Sequence, residues 1–234
     1  METGKHAVPG QEQYENMLSV VIPALNASRS LPGAVGSVAE ADEILVVDGG
    51  SSDGSAALAA SLGARVLQAP RGRGTQLAAG VEAARGDWLL LLHADTRLDA
   101  GWRAAIGKHM ATAPGRAGYC RFKLDSDDPL ARRLERLVAW RCRMFALPYG
   151  DQGLLIHRDL LGAVGGIRGV PLMEDVDLVR RIGRKRLSGL PVAAITSAEK
   201  WQCGGWYRRS LRNLLCLTLY FAGVPPRLIA RLYG

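Results

Sequence analysis

This 234-residue chain has only four cysteines; Cys120, Cys142, Cys203 and Cys216 form no C-x-x-C pair and stand at metal-site spacing from no histidine. Zinc ribbons and dithiol redox motifs are thereby excluded, and the expectation is reduced, mostly buried thiols in a cytoplasmic protein. Lysine is also scarce. Five lysines (Lys5, Lys108, Lys123, Lys185 and Lys200) stand among 30 basic residues, so the net charge of +8 rests on arginine, the side chain suited to bidentate recognition of phosphate and carboxylate. Aromatic residues are 6% of the chain and do not interleave with the basic ones, which argues against a nucleic-acid groove. A nucleotide substrate or an anionic lipid surface remains to explain the charge.

Long apolar runs are missing as well. The longest, Leu214–Val224, is interrupted by Thr218 and Gly223 and is too short to span a bilayer. Met1–Asn16 lacks the apolar core of a signal peptide and reads as a flexible tail. Phosphate loops are absent: Gly72-Arg-Gly-Thr-Gln-Leu77 starts like G-x-G-x-x-G but ends on leucine, and no G-K-[ST] follows a strand. An aspartyl-nucleophile phosphatase is excluded because His93 stands where its nucleophile belongs. Pro23-Ala-Leu-Asn-Ala-Ser28 is not the glycine-rich basic loop that a sugar nucleotidylyltransferase needs.

Short apolar runs separated by helical patterns are what the chain does have. Leu18–Pro23, Glu43–Val47, Ala64–Gln68 and Trp88–His93 read as strands, alternating with helices from Asn26 to about Glu40, through Leu62, and over Thr75–Arg85. This β-α alternation predicts a parallel, doubly wound sheet. Further on, the pattern predicts helices from Asp99 to Met110, over Pro129–Phe145 and from Met173 into Arg186. Strands are predicted over Gly118–Phe122, through His157 and over Pro191–Thr196. Trp206–Gly234 reads as helical with a break near Pro225-Pro226, packed on the domain, across a dimer or on a membrane surface.

Acidic residues recur just after strands: Asp48, Asp53, Asp95, Asp151 and the Glu174-Asp175-Asp177 group. Such positions are where open α/β sheets bind ligands. The array suits a divalent ion holding a diphosphate, with a separate carboxylate for proton transfer.

In order along the chain stand Val20-Val-Ile-Pro-Ala-Leu-Asn26, Ile44-Leu-Val-Val-Asp-Gly-Gly-Ser-Ser-Asp-Gly-Ser55, His93-Ala-Asp95 and Met173-Glu-Asp175. With these motifs the chain resembles the family 2 glycosyltransferases of the GT-A fold, from about Leu18 to Trp206. Leu92-His-Ala-Asp-Thr96, Tyr149-Gly-Asp-Gln-Gly153, Pro171–Leu178 and Leu219-Tyr-Phe-Ala-Gly-Val-Pro-Pro226 resemble a small bacterial branch associated with radical-SAM proteins and arsenosugar biosynthesis.

The resemblance implies a Rossmann-like, mixed but mainly parallel sheet flanked by helices over residues 17–204, with a helical segment over 205–234. It implies an inverting transfer of a sugar from a nucleotide-diphosphate donor, most often a UDP-sugar, to a small-molecule or lipid-linked hydroxyl acceptor. Asp48 would bond the nucleobase, with Pro23, Ala24 and Asn26 lining its pocket. Arg71 and Arg73 would reach the nucleoside or diphosphate, and Asp53 the donor, although a helix cap explains Asp53 equally well. Asp95 would bind Mn²⁺ or Mg²⁺. His93 replaces the first acid of Asp-x-Asp, either as a neutral ligand, as a hydrogen-bond donor or as a packed strand end. Asp175 would be the general base, with Glu174 raising the pKa of one of the pair. Asp151, Gln152 and Trp201 are the acceptor-side candidates. Ser197-Ala-Glu-Lys-Trp201 is similar to the Gln-x-x-Arg-Trp of processive members but lacks the glutamine and arginine, which argues against a polysaccharide synthase. The competing reading is a basic membrane-surface or partner-binding module whose transferase-like site is inactive. A homodimer fits either one.

Overall fold

The computed structural model describes residues 16–233, without the Tyr233 side chain. The flexible tail expected up to residue 16 lies outside them but for Asn16. The apolar run that begins the fold, Leu18–Ala24 (β1), is buried at every position. It pairs in parallel with Glu43–Asp48 (β2) on one side and Trp88–Leu91 (β4) on the other. Arg65–Gln68 (β3) extends the parallel layer from β2.

Beyond β4 the sheet changes direction. Leu154–His157 (β7) is antiparallel to β4, and Ala117–Asp125 (β6) is antiparallel to β7. Leu187–Ser197 (β8) runs parallel to β6, and Thr96–Leu98 (β5) closes the edge antiparallel to β8. The eight-stranded order is β3-β2-β1-β4-β7-β6-β8-β5. The architecture is thus the mixed α/β sheet expected. The doubly wound parallel pattern covers only its first four strands.

Helices cover both faces, which is why the central strands carry no polar alternation. Val20, Ile22, Leu90 and Leu92 face a layer made by Leu31–Ser37 (α1) and Trp102–Thr112 (α4), through Leu31, Val35, Trp102 and Ile106. Val21, Leu89 and Leu91 face Arg73–Ala83 (α3), Arg158–Ala163 (α6) and Glu174–Ile182 (α7), through Leu77, Leu160 and Leu178. Each of these leucines contributes roughly 1.5–3 kcal/mol by its burial. Gly80 lets α3 lie directly on the sheet, since a Cβ there would collide with Val21 and Val47. Ser55–Ser61 (α2) lies between β2 and β3 in the chain.

Pro129–Phe145 (α5) starts where Asp128 Oδ1 accepts from Leu130 N at 2.8 Å, with Pro129 at the first helical position. It packs with Glu199–Gly204 (α8) over a third cluster that includes Phe122, Leu124 and Trp201. Trp206–Phe221 (α9) and Pro226–Tyr233 (α10) follow. On α9 only Cys216 is buried, while Tyr207, Leu211, Leu214 and Leu215 are exposed. Of the cysteines, Cys120, Cys142 and Cys216 are buried free thiols and Cys203 is exposed. No helix among the described residues is long and apolar enough to cross a membrane.

Candidate active site

The carboxyl ends of β1, β2 and β4 converge, and the loops that follow them build the first wall. Asp48, the last residue of β2, is 2% exposed, and its Oδ2 accepts from Gly50 N at 3.1 Å and Ser51 N at 3.0 Å. Burial works against its charge, but the bonds from Ser51 and Gly50 outweigh it and hold the pKa below the ordinary value. Asn26 takes a left-handed conformation (φ 49°), and its Oδ1 accepts from Ser52 N at 2.9 Å. Asp53 accepts from Ser28 N and Ser55 N, both at 3.0 Å, so it ties the loop after β2 to the loop after β1. The bond from the Ser55 side chain leads the causes that hold it well below the usual carboxylate range.

Pro23, Asn26 and Asp53 line a cleft of about 710 Å³. Ala24 does not: it is buried, and its carbonyl accepts from Gln76 Nε2 and Gly49 N beneath the floor. Asp48 lies under its own turn rather than on the cleft wall, and Arg71, exposed on the loop before α3, does not line the cleft.

A second cavity, of about 160 Å³, opens on the side of α7 and α9. Arg73, His93, Asp95 and Lys200 line both spaces, so the two meet at these four residues. Arg73 Nε bonds Glu174 Oε1, Nη1 lies 3.3 Å from His93 Nε2, and Nη2 lies 3.7 Å from Asp175 Oδ2. Burial and then the Arg73 charge push the His93 pKa down to about 4, which leaves a neutral imidazole at pH 7. Lys200 Nζ lies 2.7 Å from Asp95 Oδ2. Burial alone would raise the Asp95 pKa, but His93 and Lys200 hold it below the ordinary value.

Asp175 accepts from Gly150 N and from Val176 N, each at 2.8 Å. Burial opposes its charge, yet Arg73 and the Gly150 bond keep its pKa lowered. Glu174, 2% exposed, is the partner whose pKa rises, through burial first and the Asp175 charge second. The adjacent carboxylates do split, then, but Glu174 is the raised one and Asp175 stays ionised.

Asp151 and Trp201 line the smaller cavity beside Asp175. Burial pushes the Asp151 pKa up to about 6. Gln152 is spent elsewhere: its Oε1 accepts from Tyr149 N at 3.2 Å and its Nε2 donates to Cys120 O at 3.0 Å. It holds the Tyr149–Gly153 turn and does not reach the cavity wall.

Lys200, Tyr149 and Asn213 are site residues that the sequence reading missed. Lys200 carried a signal, as a lysine before Trp201 in a chain rich in arginine. Asn213 lies in the middle of α9 and carried none.

No group of three His, Cys, Asp or Glu side chains converges among the described residues, so a divalent ion would find no closed protein cage. Mg²⁺ and Mn²⁺ commonly take one or two carboxylates plus substrate phosphates. Asp95 fits that role: it is ionised and sits where the two spaces meet. The side chain of its partner Lys200 is 60% exposed and can leave without stranding a buried charge.

Solved structures share this fold. The chain superposes on Staphylococcus aureus TarS residues 1–349 with a TM-score of 0.62 at 15% identity, over 79% of this chain and 61% of that one. For mannosyl-3-phosphoglycerate synthase from Rubrobacter xylanophilus the TM-score is 0.56 at 21% identity, over 89% and 75%. An uncharacterised glycosyltransferase of Mycobacterium tuberculosis is 40% identical over 85 residues, 36% of this chain and 39% of the relative. A PGL/p-HBAD biosynthesis glycosyltransferase of the same organism is 36% identical over 93 residues, 35% of this chain and 36% of the relative. The chain thus matches less than half the length of these curated relatives. Residues 19–169, more than half of the chain, match the family described as Glycosyl transferase family 2, and the chain belongs to that family.

Proposed function

We propose that the protein moves a sugar from a nucleotide-diphosphate donor, of the UDP-sugar class, to an acceptor hydroxyl with inversion at the anomeric carbon. One observation carries the reading. A wide cleft and a smaller cavity meet at two cations and a carboxylate, with an ionised Asp175 on the far side. The family supports it, and TarS, which shares the fold, has been solved with UDP-GlcNAc.

In this reading the nucleoside lies in the cleft over Pro23 and Asn26, with Asp53 and, beneath the wall, Asp48 fixing the loop that follows β2. The diphosphate points to Arg73 and Lys200. Asp95 would hold Mn²⁺ or Mg²⁺ there, which would supply positive charge against the departing diphosphate. The acceptor enters from the smaller cavity. Its oxygen bonds to the anomeric carbon while the carbon–oxygen bond to the diphosphate breaks, and the electron pair leaves with the nucleotide. Asp175 takes the hydroxyl proton, and Gly150 N and Val176 N keep its oxygens aimed. Glu174 positions Arg73. The narrower placement, in the branch associated with radical-SAM proteins and arsenosugar biosynthesis, rests on motif wording alone.

Calorimetric titration with UDP tests the donor half. Binding should require Mn²⁺ or Mg²⁺ and weaken at least tenfold in Asp95→Ala; metal-independent binding of equal strength overturns the ion's role. Asp175→Asn should keep UDP binding and lose transfer, and full transfer in that variant removes the base assignment.

A further inference from the structure

The small cavity does not end at Trp201. Tyr149, Asp151, Trp201, Asn213 and Leu217 also form one end of an adjoining groove of about 150 Å³ between α5 and α9. Four of these five wall residues carry a buried polar atom with no partner among the described residues: Tyr149 OH, Asp151 Oδ1, Trp201 Nε1 and Asn213 Oδ1. Trp201 is 8% exposed, so its N–H has lost water and gained nothing. Leaving such an atom unpaired costs about 1–3 kcal/mol, and four on one wall point to a ligand that satisfies them. The set mixes donors and acceptors. An N–H and a phenol can donate, while an amide oxygen, a carboxylate oxygen and the phenol can accept. Hydroxyl groups, which both donate and accept, match that mixture; a phosphate, which only accepts, would leave the two oxygens unpaired.

The groove has a different chemistry. Phe122, Leu134 and Val138 line it from the sheet and α5, and Leu214 and Leu217 from α9. Leu214 is 58% exposed, so the groove opens to the surface there, beside the exposed Leu211 and Leu215.

We infer that the acceptor is an amphiphile. Its hydroxylated head group fills the cavity at Asp175, and its apolar chain runs through the groove between α5 and α9. The polar wall shared by the two spaces is the joint between head and chain. This deepens the transferase reading and rests on it for the identity of the reacting hydroxyl. The binding site itself is argued from the unpaired atoms and the groove.

The test uses the full chain and a series of probes, methyl, butyl, hexyl and octyl β-D-glucoside, each below its micellar concentration. Affinity is read by calorimetry. UDP binding with Mn²⁺ is measured in parallel. Each methylene that enters the groove should tighten binding about fourfold, so octyl should exceed butyl by about two orders of magnitude. In Leu214→Glu, a substitution at an exposed position, that slope should flatten while UDP binding stays unchanged. Equal affinity across the series, or no binding of any member, overturns the inference. So does an undiminished slope in Leu214→Glu, which would place the chain elsewhere on the surface. A chain-length slope without any UDP binding would instead remove the transferase reading and leave the amphiphile site standing.

Discussion

Replacing Arg73 with methionine removes the guanidinium that neutralises Glu174, a carboxylate 2% exposed on the first turn of α7. The methionine keeps most of the apolar stem, so the main loss is charge. A buried carboxylate stripped of its cation has one cheap escape, which is to take up a proton. At pH 7 that costs about 1.4 kcal/mol for each of the two and a half pH units above its ordinary value of 4.5, a ceiling of about 3.4 kcal/mol, part of which the parent already carries because burial raises the Glu174 pKa even with Arg73 in place. The figure agrees with the roughly 3–5 kcal/mol typical of breaking one side of a buried pair.

The sign follows from the proton count. In the variant the folded pKa of Glu174 lies above the unfolded one, so the folded state binds more protons. Stability therefore falls as the pH rises from 4.5. Arg73→Met should lose up to about 3 kcal/mol at pH 7 and less than about 1 kcal/mol at pH 5, read from urea midpoints at each pH. Adding Glu174→Gln should restore most of the loss and flatten its pH dependence. A loss in Arg73→Met that is equal at pH 5 and pH 7 refutes the reasoning, as does a double variant no more stable than the single one. The double variant also separates two roles of Arg73: stability returns, but UDP binding stays weak if the guanidinium meets the diphosphate.

Gly150→Ala would place a Cβ 2.5 Å from His93 Nε2 and 3.2 Å from Asp175 Oδ2; transfer should fall more than tenfold while thermal stability falls by only about 1–3 kcal/mol, and unchanged transfer would show that the turn yields. Asp151, pushed up to about 6 by burial, is destabilising where it is ionised, by at most about 3 kcal/mol. Asp151→Asn should therefore melt higher than the parent at pH 7.5 and lose that advantage as the pH falls to 4. Lys200→Met takes the ammonium off Asp95 as well as off the diphosphate, so UDP should bind more weakly at saturating Mn²⁺ while the Mn²⁺ concentration giving half of that binding drops several-fold in calorimetric titrations; an unchanged half-point would show that Lys200 does not compete with the ion.

What could be read from the sequence was local. The runs at Leu18, Glu43 and Trp88 are apolar on both alternations because helices cover both sheet faces, and a single strand shows that without its neighbours. The bounds of Pro129–Phe145 were legible because Asp128 and Pro129 write the helix start into the chain. The second half of the sheet was not, because its order depends on pairings far apart in sequence. Thr96–Leu98 is three residues long and exists as a strand only against Ala194–Thr196. Leu187–Ser197 begins before the predicted Pro191 because that proline, which has no N–H to donate, falls where the register against β6 shifts, between the Gly189 and Ala193 pairings. The site divides in the same way. The carboxylates Asp48, Asp95 and Asp175 are visible as acids after strands or at a helix start. Their partners are not: Arg73 and Glu174 lie 101 residues apart, and Asp95 and Lys200 lie 105 apart.

Those hidden partners set how the site responds to a donor. Without one, Arg73 and Lys200 are held by carboxylates, and Asp175 is a weak base because Arg73 stabilises its charge. In the proposed transfer an arriving diphosphate would compete for both cations. With Arg73 turned toward phosphate, Asp175 would lose the largest influence lowering its pKa, while burial, which raises it, would remain. Its basicity would then climb toward the range in which proton transfer is efficient. The opposite would happen to Asp95: once Lys200 left, its ionised carboxylate would be free for another cation. Donor binding would thus strengthen the base and release the metal ligand in one rearrangement. That coupling gives a neutral imidazole at His93 a physical sense, because a second carboxylate there would hold Arg73 back from the phosphate.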